Sequence, residues 1–142
     1  MAFLCGLLHD LGEAIILSVC AEQEKLLGVQ RLPTEVSTEL VTRYHEQVGL
    51  LACEVWRLPE SICDAVAHHH HPEQSSHPAN MARVVAVTDR LMEHVGLGSA
   101  PRPLAPGQEP LFDQMGLAPE QVARLAAFVE KLVKEGDPQG DA

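Results

Sequence analysis

Apolar residues recur along this chain at intervals of three and four, and nowhere in sustained alternation. That spacing predicts helices, because one face of a helix returns about every 3.6 residues and one face of a strand every second residue. The first predicted helix covers about Ala2 to Leu27, with Leu4, Leu7, Leu8, Leu11 and Ile15 in register and Gly28 as its stop. The second starts near Thr34 and runs to about Trp56 through Val41, Val48, Leu51, Ala52 and Val55. Pro59 opens a short third helix that reaches the run His68-His69-His70-His71. After a polar loop over Gln74 to Pro78, a fourth helix extends from about Ala79 to Val95. Gly96 to Pro110, rich in Gly and Pro, reads as an irregular connection. The last helix opens at Pro119 and carries the stripe Val122, Leu125, Ala126, Val129, Leu132 and Val133. The expected fold is all-α, a bundle of about five helices forming one domain over residues 1–136, with a polar tail at 137–142.

Composition sharpens this picture. Hydrophobic residues make up 46% and aromatics 4%, so the core should be aliphatic, and 142 residues suit a single domain. A net charge of −10 opposes duplex nucleic acid or an anionic membrane surface as partner. It leaves room for a small phosphorylated ligand held through a local cation such as a metal. Cys5, Cys20, Cys53 and Cys63 lie in apolar helical stretches without a Cys-x-x-Cys pair, the pattern of reduced core thiols in a cytoplasmic protein. The opening segment lacks a basic start and is interrupted by His9-Asp10, so neither a targeting segment nor a membrane span is expected.

Polar residues fall where core residues belong. His45 shares a helix face with Val41, Val48, Gly49 and Ala52; Asp89 shares one with Val85 and Met92; His9-Asp10 lies between Leu8 and Leu11. Singly, each has an ordinary reading: a hydrogen-bonded core histidine, a packing carboxylate bonded to Arg90 or another donor, a solvated His-rich helix end. Together with His69 and His70 they supply ligands for one or two ions of Mn, Fe, Mg or Zn type. His77 and His94 read as solvated, and Arg83 and Arg90 as surface residues.

The ordered set Gly6-Leu7-Leu8-His9-Asp10-Leu11-Gly12, His45-x-x-x-Gly49, Trp56-Arg57-Leu58-Pro59-Glu60, His69-His70 and Asp89 resembles the HD superfamily. It is most similar to the HDOD branch, the HD-related output domain of bacterial signalling proteins. The resemblance implies that His9 and Asp10 form the signature pair, Asp10 bridging two metals, and that His45, His69, His70 and Asp89 complete the ligand set. In active relatives such metals activate a water that attacks phosphorus.

The chain departs from the hydrolase pattern in three ways. Few residues precede His9, so a further upstream His and its helix are lacking, as in a fragment. Glu13 stands where the HD-GYP phosphodiesterases carry Lys. The sequence after Glu73 reads Gln-Ser-Ser-His-Pro, without the Gly-Tyr-Pro element. The expected function is therefore an HDOD regulatory module acting through a protein partner or neighbouring signalling domain. The alternative is a metal-dependent phosphohydrolase acting on a nucleotide or cyclic nucleotide; a purely structural histidine cluster is a third reading. Loss of the upstream helices would also expose an apolar groove and favour a homo-oligomer or another covering segment.

Overall fold

A computed structural model describes residues 1–77, 80–98, 101–105, 107 and 109–136. Among them every regular element is helical, in agreement with the periodicity. The elements are α1 (Ala2–Leu8), α2 (Leu11–Leu27), α3 (Thr34–Val55), α4 (Glu60–His68), a 3-10 turn (Pro72–Gln74), α5 (Met81–His94), α6 (Pro110–Gln114) and α7 (Pro119–Gly136). The contacts cluster into two units, Met1–Val85 and Ala86 onward, dividing within α5. The predicted polar tail at 137–142 and the predicted start of the fourth helix at Ala79 lie outside the described residues.

In the first unit α2 packs on α3 and α3 on α4, around a core of Cys5, Cys53, Ile62, Ala65, Val66 and Val85. Two glycines set the α2–α3 spacing. A Cβ on Gly12 would come within 1.9 Å of the His45 carbonyl oxygen and 2.7 Å of the Gly49 nitrogen. A Cβ on Gly49 would meet Val66 Cγ1 at 2.6 Å. Only hydrogen at these positions lets the helices approach so closely. The stop at Gly28 is as expected: it adopts φ +67°, and Val29 donates back to the Glu24 carbonyl at 3.1 Å.

One expectation is corrected here. Residues 2–27 do not form a single helix; α1 ends at Leu8 and α2 begins at Leu11. Asp10 leaves helical geometry with φ −95° and ψ 17°, and its carbonyl accepts the Glu13 N–H at 2.9 Å as the next helix starts. The side chains of His9 and Asp10 are engaged elsewhere, as shown below.

The reading that nothing near the N-terminus is of membrane length also changes. Ala2–Leu27 taken together has the length and composition of a span, with mean hydropathy 1.7 in its most apolar window. A core helix and a signal sequence meet the same test of length and composition, and the Asp10 carboxylate within it would be costly in hydrocarbon. The apolar surface expected on these helices is present. Phe3 is 78% and Leu26 77% exposed, Leu7, Leu17 and Leu27 are exposed too, and so are Leu51 and Val55 on α3 and Trp56 just after it.

The second unit has its own core of Leu91, Phe112, Val122 and Ala126, flanked by Val87, Leu104, Leu117 and Val129. Arg90, expected on the surface, is 4% exposed. It is buried because its guanidinium has several partners: Nε donates to Glu109 Oε2 at 3.1 Å, Nη1 to the Arg102 carbonyl at 2.7 Å, and Nη2 to the Pro103 carbonyl at 3.0 Å. His94, expected to be solvated, is tied down too. Its Nε2–H donates to Glu130 at 3.0 Å and its Nδ1 accepts the Leu104 N–H at 3.1 Å. Helix α6 escapes the periodicity because five residues are too few to show one.

Burial alone would raise the Glu109 carboxyl's pKa, but hydrogen bonding and charge from Arg90, with the Ala105 N–H, hold it below the ordinary Glu value. A carboxylate lowered in the folded state stabilises above its unfolded pKa of about 4.3. That contribution is lost as pH falls through the lower folded value. Glu109→Gln is therefore expected to flatten the acid limb of this unit's stability curve below about pH 4, measured by thermal melting at successive pH. An unchanged acid limb would count against it.

Candidate metal centre

Four histidines and one aspartate meet in the first unit. His9 caps α1, Asp10 joins α1 to α2, His45 lies inside α3, and His69 and His70 follow α4. His69 is 1% and His45 7% exposed, whereas His70 and Asp10 open to solvent, so the cluster runs from buried rings to solvent-facing groups.

The backbone fixes how three of the rings present themselves. His9 Nδ1 lies 2.8 Å from the Gly6 carbonyl, His45 Nδ1 2.8 Å from that of Val41, and His69 Nδ1 2.9 Å from that of Val66. A carbonyl can only accept, so each Nδ1 carries the proton and each neutral ring offers its Nε2 lone pair inward. Those inward atoms converge. His45 Nε2 is 3.3 Å from His69 Nε2, which is 3.4 Å from Asp10 Oδ1, and Asp10 Oδ2 is 3.0 Å from His9 Nε2. His70 adds a further nitrogen: the ligand atoms of His45, His69 and His70 all lie within 4.8 Å of one another.

With the Nδ1 positions committed, neutral His45 and His69 face each other and a carboxylate with no proton to share. A cation resolves that frustration, either an added proton on a ring or a metal ion. Imidazole nitrogens plus one carboxylate oxygen suit Zn, Fe or Mn better than the all-oxygen preference of Mg. The residues therefore fit the ion that their pattern implied.

Charge follows the geometry. Burial would raise the pKa of Asp10, but where the added proton is the cation, hydrogen bonds and charge from protonated His69 and His9 outweigh it and hold the carboxyl well below the ordinary range. That direction favours the ionised carboxylate. Burial, then repulsion from His69 and His45, lowers the pKa of His70, which favours the neutral ring and its lone pair.

Of the predicted ligands, His9, Asp10, His45, His69 and His70 are brought together here. Asp89 belongs to the second unit, where it is half-buried on α5. The other two histidines of the four-residue run turn away. His68 Nδ1 bonds the Asp64 carbonyl at 3.0 Å and faces its carboxylate at 3.2 Å, while exposed His71 lies 3.6 Å from Glu73. Ser75 completes that satellite by donating to Asp64 at 2.7 Å. Glu46 is a residue the sequence did not signal. Its carboxylate accepts the His70 backbone N–H at 3.3 Å and so positions that histidine. Only its place next to His45 could have drawn notice.

A family model described as the HDOD domain matches residues 1–72. An uncharacterized protein of Treponema pallidum (strain Nichols) is 31% identical over 74 residues, covering 49% of this chain and 14% of that protein. The chain thus spans a small part of that relative's length. No solved structure matches.

Proposed function

Starting from a chain that belongs to the HDOD domain family, we propose that it is a bacterial regulatory module built around a divalent-metal site held by His9, Asp10, His45, His69 and His70. It acts in the cytoplasm through a protein partner or neighbouring signalling domain. The observation that carries the metal reading is the face-to-face approach of His45 Nε2, His69 Nε2 and Asp10 Oδ1 at 3.3 and 3.4 Å, with both Nδ1 protons already committed.

In this reading each side chain has a role. Asp10 supplies the negative charge, His45 and His69 the buried nitrogens, and solvent-facing His70 the side on which a further ligand enters. Glu46 holds the His70 backbone in place. The exposed apolar residues of α1 and α2 supply the surface a protein partner would cover. Four free cysteines, three of them buried, accord with a reducing compartment.

The second reading, a phosphohydrolase, draws on the same open side. A bound ion would there polarise a phosphate and lower the pKa of its water. Glu13, half-buried in the first turn of α2, is a poor neighbour for a substrate phosphate.

The test is the metal content of the untagged chain by plasma mass spectrometry, with Asp10→Ala alongside. About one or two equivalents are expected. Loss of an outer-shell partner already costs roughly 10–100-fold in affinity, so Asp10→Ala should lose at least as much. Metal indifferent to Asp10, or none after loading with Zn, Fe or Mn, would leave a structural histidine cluster. Turnover of phosphodiesters or nucleotides by the loaded chain would favour the hydrolase over the module.

A further inference from the structure

In the second unit one histidine keeps both of its bonds only while it is neutral. His94 ends α5, its side chain 19% exposed. Its Nδ1 accepts the Leu104 N–H at 3.1 Å, and its Nε2–H donates to Glu130 Oε1 on α7 at 3.0 Å. An imidazole that accepts at one nitrogen and donates at the other is the neutral ring; the charged ring carries a proton on both. A second proton would therefore enter at Nδ1 and set two N–H groups against each other. At Nε2 its effect is the reverse, because a cation strengthens the bond to the Glu130 carboxylate.

The amide involved belongs to a segment with a single plug. Over residues 101–105 Leu104 alone is half-buried, packed against the core of Leu91, Phe112, Val122 and Ala126, while its neighbours are exposed. Upstream the chain is held independently. Arg90 bonds the Arg102 and Pro103 carbonyls, and the Arg102 N–H donates to the Glu93 carbonyl at 3.0 Å. Downstream the Ala105 N–H reaches Glu109 at 3.4 Å.

The other charged groups around the ring are engaged elsewhere. On the 101–105 segment Arg102 donates to Glu93 Oε2 at 3.1 Å. Before α6, Glu109 is paired with Arg90, and on α5 itself Arg90 lies 3.6 Å from Glu93. Asp113 of α6 and Lys134 of α7 make no bond to the imidazole. Glu130 is the one charged group in contact with it among the described residues.

We propose that His94 is a proton-operated latch on Leu104. With the ring neutral the latch is closed. On acidification, in the range where imidazoles change charge, the Leu104 amide loses its acceptor. A half-buried amide without a partner is costly, so Leu104 withdraws from the core and its N–H turns to water. His94 then holds Glu130 alone, more tightly than before. Because one bond is exchanged for another, the opening is confined to Leu104 and the rest of the unit stays folded.

Nuclear magnetic resonance of the intact, nitrogen-15-labelled chain from about pH 8 to about pH 5 tests this. The ring nitrogens should report the Nε2–H tautomer at the alkaline end. The Leu104 amide shift should then follow the His94 ring through one transition. Corrected for the intrinsic effect of pH, hydrogen exchange at Leu104 should quicken by about tenfold, the weight of one ordinary hydrogen bond. The Phe112 amide, bonded to the Glu109 carbonyl at 3.0 Å, should keep its protection throughout. His94→Asn offers an amide oxygen in place of Nδ1 and does not titrate, so Leu104 should lose its pH dependence there. Should that variant fail to fold, the coupling of Leu104 to the ring in the parent chain still decides. A ring neutral to the acid end, Leu104 protection unchanged while the ring charges, or Leu104 and Phe112 released together would overturn the proposal. So would a pH dependence that survives in His94→Asn.

Discussion

Gly12→Ala is expected to cost the first unit about 3 kcal/mol or more, enough to unfold much of it at ordinary temperature. The added methyl would lie 1.9 Å from the His45 carbonyl oxygen and 2.7 Å from the Gly49 nitrogen. Both are backbone atoms of α3, so no rotamer change relieves the clash; the two helices must separate. Separation moves His45, whose ring is bound to the Val41 carbonyl of the same helix. Helical circular dichroism, the urea midpoint and metal uptake should therefore fall together. Gly6→Ala is the control. A Cβ there meets nothing within 4 Å, and alanine in a helix gains up to about 1 kcal/mol over glycine. If Gly12→Ala were as stable as Gly6→Ala, the tight α2–α3 crossing would be wrong.

Arg90→Met is expected to cost the second unit about 3–5 kcal/mol, the usual range when one partner of a buried ion pair is removed. The methionine fills part of the volume but leaves the Glu109 carboxylate, 12% exposed, without its guanidinium. It also leaves the Arg102 and Pro103 carbonyls without their donors. Lysine does not substitute, because a point charge cannot address a carboxylate and two carbonyls in the plane of one fork. Thermal melting, with limited proteolysis between Leu97 and Glu109, would show the segment released in Arg90→Met and largely released in Arg90→Lys. Proteolytic resistance equal to the parent would remove Arg90 from the role of anchor. Double replacement Arg90→Met, Glu109→Leu should recover part of the loss, since no buried charge then remains unpaired.

The parts of the fold legible in the sequence are those written in long periodic stretches. α3 and α7 follow their apolar stripes, and the Gly28 and Pro119 boundaries follow from backbone chemistry. The break at His9–Asp10 was not legible, because Leu4, Leu7, Leu8, Leu11 and Ile15 keep helical spacing straight through it. What turns the chain there is tertiary: the Asp10 carboxylate meets His69, 59 positions along the sequence. Arg90 and His94 were misread for a similar reason. Their partners are loop carbonyls, a loop amide and carboxylates on other segments, and no local pattern announces them. The histidine set was legible because burying polar rings on an apolar helix face is costly unless they are used. Glu46, by contrast, works through a backbone amide that any residue at position 70 would offer, so its role leaves no mark in residue type.

Each of His9, His45 and His69 is tethered by Nδ1 to a carbonyl three or four residues back in its own segment. Every ring is therefore tied to the backbone that carries it. A small slide of one helix is transmitted undamped into the spacing between donor atoms. The cluster behaves as a caliper spanning three helical segments: whatever fixes the gap between its jaws fixes the segments, and whatever shifts a segment alters the grip.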